Sequence, residues 1–416
     1  MNNSPSNQVL AGLKVLDMTM FLSGPFGTQI LGDLGAEIFK IETGQGDQTR
    51  LLPPNFIGEE SAYFLSTNRN KKSVVIDYRQ PKGLALLEQL ICECDVLMEN
   101  HRPGGLAKYG ITWERAHDLN PRLVWCSISG FGQTGPYRDR PAYDMVVQAL
   151  SGGMSLTGEP EGRPVRAGIP LADLSAGLYG VIGVLATLIG SRNTHKGRYI
   201  DISMLDAQVA MLSYQAAYYL HSGKVPGPQG RSHESIPSYR AFTAGDGKDF
   251  VVCANTDRMW ESLCEVIGRT DLRDDERLKG RKARNTHRQE IWTQLEAEFL
   301  KKPALEWVQL LLDAEIPVGT VSTLDETLND PQVLQRGMVI EMHDSAGHAV
   351  KVAGNPIKIK GLLDEPTLYP PHVGEHTREV LKKTLGLSDQ AVDELTKAGI
   401  VSHQRSQDEL SKRIFK

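Results

Sequence analysis

The first 130 residues alternate short apolar runs with longer stretches of helical spacing. KVLDMT (14–19), AEIFKIE (36–42), SVVIDY (73–78), VLMEN (96–100) and LVWCSISGFG (123–132) read as strands. Between them, GPFGTQILGDLG (24–35) and KGLALLEQLICECD (82–95) repeat their apolar residues at helical intervals, the first closing on Gly32 or Gly35. Strands that alternate with helices of about a dozen residues predict a parallel sheet covered on both faces. Ligands bind such sheets beyond the carboxyl ends of the strands. Here those ends are MTMFLSGP, IETGQGDQTR, IDYRQPKG, MENHRPGG and ISGFGQTGPY.

The rhythm then changes. GIPLADLSAGLYGVIGVLATLIG (168–190) is an apolar helical stretch whose one charge, Asp173, stands near its start. The uncharged run from Leu178 to Gly190 falls short of the roughly 20 residues that a membrane span needs, which predicts a core helix. KGRYIDISMLDAQVAMLSYQAAYYL (196–220) reads as a strand running into a helix. HSGKVPGPQGRSHESIPS (221–238) is rich in Gly, Pro and Ser and reads as a linker. A hairpin around Gly245-Asp246-Gly247 and several charged helices follow. AVKVAGNPIKI (349–359) predicts a return strand, and 377–401 a pair of helices. At 416 residues the chain is long enough for two domains. The division expected is a large domain over 1–225, a small one over 226–328, and a segment over 329–416 that rejoins the first.

Charge and composition narrow the chemistry. A formal net charge of −5 proposes no nucleic-acid or anionic-membrane partner. Cys92 and Cys94 have neither redox nor zinc-knuckle spacing, and Cys126, Cys253 and Cys264 sit in apolar contexts. With an N-terminus, MNNSPSNQVLAG, that lacks the features of a signal peptide, a reduced, cytoplasmic protein is expected. The first strand–helix turn, FLSGPFGTQI, has no GxGxxG, which argues against a nicotinamide dehydrogenase. His372 and His376 lie four apart in a Pro/Gly loop, and no metal is expected there. Arg50, Arg69, Lys71, Lys72, Arg79, Arg102, Lys108 and Arg140 recur in the inferred loops on one sheet edge. They form either a solvated surface or a cradle for a polyanion such as a nucleotide diphosphate. Asp144 ends the glycine-rich stretch SISGFGQTGPYRDRPAYD and suits a helix cap. Asp173 by position alone also suits a cap; the other reading is a nucleophile.

Taken in order, GLKVLDMT, LGDLGAEIFKIE, NRNKKSVVID, VLMENHRPGGLAKYGI, SISGFGQTGPY, LADLSAGLYG and KGRYIDISMLDA resemble the class III CoA-transferase family. That family includes formyl-CoA transferase, carnitine CoA-transferases and α-methylacyl-CoA racemases. The resemblance implies an α/β fold: a large Rossmann-like domain with a parallel sheet built from both chain ends, a smaller α+β domain, and an interlocked homodimer. It implies coenzyme A and acyl-CoA as substrates, with no metal and no redox cofactor. Asp173 takes the place of the family's nucleophile, which forms an acyl anhydride and then an aspartyl-CoA thioester. CoA would lie along Leu22, Ser23, Thr43, Ile76, Asp77, Tyr78, Arg79, Asn100, His101, Arg102, Lys108, Arg140, Tyr143 and Asp144.

Departures from the family pattern choose among its branches. Racemases carry a His where Tyr143 stands, and a phenol with a pKa of about 10 is a poor base near neutral pH. Tyr143 therefore argues for transfer over racemisation, and the retained Asp173 argues against a non-catalytic acyl-CoA-binding paralogue. The formyl-CoA branch has Gln at the place of Leu22, Arg at those of Thr43 and Lys108, and consecutive glycines absent from PGPQGRSHESIPSYRAF. Formyl and oxalate are thus disfavoured as donor and acceptor. RSHESIPSYRAF is more similar to the branch that pairs succinyl-CoA with a second dicarboxylic acid. Arg166 and His233 are the candidates for gripping a distal carboxylate.

Overall fold

Every apolar run in the first half forms a strand. The computed structural model describes residues 8–361 and 367–403. Strands β1 (Lys14–Met18), β2 (Glu37–Glu42), β3 (Lys71–Ile76), β4 (Val96–Glu99), β5 (Val124–Ser129) and β6 (Tyr199–Ser203) pair in parallel in the spatial order 3-2-1-4-5-6. This is the doubly wound order, in which the chain reverses direction between β1 and β4. A seventh strand, Val401–Ser402, adds antiparallel to β3, so both chain ends contribute to one sheet.

Alternation along the strands sorts the core into two layers. Leu16, Phe39, Val74, Leu97 and Trp125 face helices α3 (Pro81–Glu93) and α4 (Trp113–Leu119) and the C-terminal helices Thr377–Leu385 and Asp389–Lys397. Val15, Ile38, Met98, Val124 and Cys126 face α1 (Ser23–Asp33) and α6 (Leu171–Gly190). Gly35, with φ +101°, closes α1, as its place after the last apolar residue predicts.

The expected return strand is corrected. Ala349–Ala353 pairs with Val339–His343 in a separate hairpin that packs on Phe64 and Leu65 of α2 (Ala62–Thr67). Its residues alternate exposed and covered, the signature of a one-sided ribbon and not of a strand buried on both faces. The C-terminal segment reaches the sheet through Val401–Ser402 instead.

The core-helix expectation for α6 holds on one side only. The helix runs 20 residues, long and apolar enough by that measure to span a membrane. One face lies on α1 and β5, whereas Leu178, Tyr179, Ile182 and Ile189 on the other are exposed. The next predicted helix breaks at Ser213, φ +49°, into α7 (Met204–Met211) and α8 (Tyr214–Ser222).

The chain divides into two units, one of Met1–Gly153, Ala167–His221 and Leu334–Lys416, the other of Met154–Arg166 and Ser222–Val333. The second unit holds a three-stranded antiparallel sheet, with the Tyr239–Thr243/Asp249–Cys253 hairpin turning at the expected glycines. Phe242, Phe250, Trp260, Phe299 and Trp307 fill its core. The excursion over 154–166, tied in by the Gly230 amide donating to the Gly158 carbonyl at 3.0 Å, has no counterpart in the linear pattern.

The α1–α6 crossing depends on glycine. A Cβ on Gly177 would stand 2.5 Å from the Ser23 carbonyl oxygen, and one on Gly27 would meet the Gly177 carbonyl at 3.1 Å. Gly177→Ala should therefore lower stability by about 1–3 kcal/mol, the usual cost of forcing extra volume into a packed contact. Gly190→Ala, where a Cβ meets nothing within 4 Å, should be near neutral. Urea denaturation midpoints of the two variants check the contrast.

Candidate active site

Charged residues interrupt the central strands, and the structure explains them. Asp17 in β1, Lys40 in β2 and Lys71 in β3 are completely buried. Lys71 Nζ lies 3.0 Å from Asp17 Oδ2, and Lys40 Nζ lies 3.0 Å from Asp47 Oδ2 in the turn after β2. Burial opposes ionisation of Asp17, but Lys71 and Lys40 outweigh it and hold its pKa down to about 2. Burial wins at Lys71, whose pKa falls to about 8. Arg50 is equally enclosed: it forks onto Glu42, reaches Glu60 at 2.8 Å and lies over the Phe64 ring. Arg69 pairs with Asp33, and Lys72 with Glu37 and Glu379. Four of the eight cations expected along the ligand edge are thus engaged by carboxylates, Arg50, Arg69 and Lys71 in buried pairs and Lys72 in a partly exposed one. Loop position suggested access; partner carboxylates decided otherwise.

The segment from Thr19 to Pro25 joins β1 to α1 and includes the first residues of that helix. Asn100, at the end of β4, grips its Met20 peptide from both sides: Oδ1 accepts from the Met20 amide at 2.8 Å and Nδ2 donates to the carbonyl at 2.7 Å. Nδ2 also reaches Ser23 Oγ at 3.3 Å. Asn100 and the buried Ser23, both predicted to touch CoA, therefore use their side chains on each other and on the loop. Phe21 takes φ +64° and presents its ring edge-on to Tyr143, with centroids 6.1 Å apart. Leu22 beside it is half-buried and Tyr143 is largely exposed.

Tyr143 leads into α5 (Asp144–Leu150), and here the acid pair assembles. Helix α6 begins after Pro170, which offers no capping side chain, so its first amides need an acceptor from elsewhere. Asp144 supplies it. Its Oδ1 accepts from the Ala172 amide at 2.8 Å and from the Asp173 amide at 3.3 Å. Its Oδ2 accepts from Gln148 Nε2 at 2.6 Å, and Gln148 Oε1 in turn accepts from the Ala167 amide. Asp144 thus caps α6, not the helix it begins, and both oxygens are engaged within the protein.

Asp173 is the third residue of α6 and not its cap. No hydrogen bond to its carboxylate is found among the described residues, and the group is half-buried. Burial, reinforced by the negative charge of Asp144, raises its pKa to about 7. Tyr63 of α2 shares this field: burial and then the charges of Asp173, Asp47 and Asp144 push its phenol up to about 12. It remains a proton donor across the physiological range. Tyr63 escaped the sequence reading because a lone Tyr in a short helix carries no motif.

The remaining expected residues separate into groups. Thr43, Tyr78 and His101 line one cavity of about 30 Å³ at the carboxyl ends of β1 and β2, room for a single water. Burial holds the His101 imidazole below its ordinary value, and its amide donates to Glu99 at 2.7 Å. Ile76 is fully buried in the core and presents no side chain to a ligand. Asp77 is engaged by Arg79 Nε at 2.6 Å and by Gln80. Arg102, Lys108 and Arg140 are exposed, the last stacked 3.6 Å over the Tyr137 ring. Arg166 and His233 belong to the second unit, where the His233 ring stacks on Tyr239.

Comparison with known proteins gives this arrangement a family. The model of CoA-transferase family III matches residues 10–377. The succinyl-CoA:glutarate CoA-transferase of Homo sapiens is 38% identical over 398 residues, 95% of this chain and 91% of that protein. The acetyl-CoA:oxalate CoA-transferase of Acetobacter aceti is 40% identical over 361 residues, 86% of this chain and 91% of that protein. A CAIB/BAIF family protein from Brucella suis, known from its crystal structure, aligns with a TM-score of 0.81 at 35% identity, covering 91% of this chain and 100% of that one. With the doubly wound sheet and the acid pair at the head of α6, these matches make the chain a member of CoA-transferase family III, an enzyme that acts on CoA thioesters.

Proposed function

We propose that this enzyme moves CoA from succinyl-CoA to a second dicarboxylic acid, with Asp173 as the group that carries first the acyl residue and then CoA. The observation that carries the proposal is the unpartnered, half-buried Asp173 carboxylate beside a second acid whose oxygens are already engaged. Asp173 Oδ attacks the thioester carbonyl, the C–O bond forms, the C–S bond breaks, and CoA leaves as thiolate. The thiolate then attacks the Asp173 carbonyl carbon of the anhydride, which gives the aspartyl-CoA thioester and frees the donor acid. The acceptor carboxylate displaces CoA from Asp173 to form a second anhydride. Attack of the thiolate on the acceptor acyl carbon releases the new acyl-CoA and regenerates the carboxylate. No proton is gained or lost over the cycle, so no general base is required.

The dicarboxylate preference rests on the names of the relatives and on the resemblance of RSHESIPSYRAF, with Arg166 and His233 as candidate ligands for the far carboxylate. CoA is assigned to the strand ends carrying Leu22, Thr43, Tyr78, His101, Arg102, Lys108 and Arg140. The exposed apolar face of α6 to α8, with Ile182 and Ile189 about 60% exposed and Leu220 at 80%, supports a second copy of the chain as its cover. All five cysteines are free, which suits the reducing cytosol.

Incubation with succinyl-CoA followed by hydroxylamine should place one hydroxamate on Asp173 by mass spectrometry, and Asp173→Ala should lose turnover and label together. Unchanged turnover in that variant would sink the nucleophile. In an acceptor screen against succinyl-CoA, glutarate should outperform monocarboxylates.

Ionisation gives a second test. The nucleophilic form is the carboxylate, so kcat/KM should rise through an acid limb near pH 7. A folded pKa above the unfolded value means that the folded state binds more protons between about pH 4 and 7, so stability falls as pH rises through that window. Asp173→Asn should accordingly melt above the wild type at pH 8 and level with it near pH 4.

Ile182→Glu should shift a dimer towards monomer in light-scattering chromatography. A monomeric wild type would remove the second copy from the proposal.

A further inference from the structure

Four buried charges lie beneath the Thr19–Pro25 loop, and stability does not account for them. Buried ion pairs recover little beyond their desolvation cost, and apolar replacements of similar volume are often no less stable. What distinguishes Asp17, Lys40, Asp47 and Lys71 is where their remaining hydrogen bonds go. Lys40 Nζ donates to the Thr19 carbonyl at 2.9 Å, and the Thr19 amide donates to Asp17 at 2.9 Å. The Phe21 amide donates to Asp47 at 3.4 Å, and Lys71 Nζ donates to the Pro25 carbonyl at 3.0 Å. Asn100 holds the Met20 peptide between them. The backbone of one loop is thus held by side chains at Thr19, Met20, Phe21 and Pro25.

That loop rests on both elements that present Asp173. The Ser23 carbonyl sits against Gly177, and residues 173 and 177 lie one above the other on the same face of α6. Phe21 packs on Tyr143, next to the Asp144 cap. A shift of the loop would therefore move the first turn of α6 and its cap together.

We infer that Lys40, with Asp47, is a positioning residue for CoA transfer: the buried pair fixes the Thr19–Pro25 loop against the Asp173 face of α6. The inference rests on the reading of Asp173 as the reacting carboxylate, which the Asp173→Ala variant tests separately. Lys40→Met combined with Asp47→Asn removes one charge of each sign, leaves the Asp17–Lys71 pair in place, and keeps an oxygen at position 47 for the Thr49 amide.

In this double variant kcat should fall by about 30- to 100-fold, the scale of a small misplacement of a reacting group, with KM for acyl-CoA changed less than about threefold. Its urea midpoint should stay close to that of the wild type. Amide exchange at Met20, Phe21 and Leu22 should quicken while exchange in β4 and β5 stays slow. Wild-type kcat in the folded double variant overturns the inference. So does a double variant that fails to fold, since the pair would then be holding the fold and not the loop.

Discussion

The head of α6 sets the terms for the rest of the site. A helix that starts on proline without a capping side chain leaves amides exposed, and those amides attract a negative group. Two carboxylates stand within reach of them, and the geometry gives the amides to only one. Asp144 takes the cap and is held from behind by Gln148, so both of its oxygens accept hydrogen bonds within the protein. Asp173, the third residue of the same helix, keeps its own oxygens out of that cap. The helix end favours an anion there, but burial and the Asp144 charge oppose it more strongly. The outcome is a carboxyl group balanced near neutrality.

This balance needs a rigid frame, and two features supply it from below. The Gly27–Gly177 crossing lets α1 and α6 approach until the carbonyl of Ser23 touches the helix that carries Asp173. The β1-to-α1 segment then has to be held without help from a regular ladder, because Thr19 to Leu22 are in neither strand nor helix. Side chains from β1, β2, β3 and β4 do this, reaching up from the sheet to individual peptide groups. Charges in the middle of apolar strands are the cost of that arrangement, kept tolerable by pairing.

Much of the frame was legible in the sequence because each strand carries its own signal. KVLDMT, AEIFKIE and LVWCSISGFG are apolar on both faces and bounded by glycine or polar turns, which few alternatives fit. The return strand failed for a related reason: AVKVA alternates, and alternation belongs to a ribbon with one wet face. Asp173 drew its expected role from its neighbours, not from its own position. Asp144 was visible as a cap, but the helix that it caps lies 28 residues on, and no spacing rule connects the two. The loop cations misled most. Arg50 meets Glu42 and Glu60, Arg69 meets Asp33 of α1, and Lys71 and Lys72, which open β3 at its amino end, meet Asp17 and Glu37; linear spacing announces none of these pairings. Asp17 and Lys40 stand inside otherwise apolar strands, and no motif marks either of them.

The residue type at position 173 also follows from the thermodynamics of exchange. In the proposed cycle the acyl group and CoA move between carboxylates, and the enzyme's own group is one of the parties. An aspartate resembles the acids being exchanged, so its anhydride and thioester lie near theirs in free energy, and neither becomes a trap. A Ser or Cys nucleophile would hold the acyl group as an ester or a thioester but could not itself accept CoA, because it has no acyl carbon for the thiolate to attack. The raised pKa refines the choice. A carboxylate shielded from water and pressed by a neighbouring negative charge is a better nucleophile than a solvated one. Acylation at Asp173 removes the very charge that Asp144 repels, so part of the strain is relieved as the first anhydride forms and restored only when the carboxylate is released.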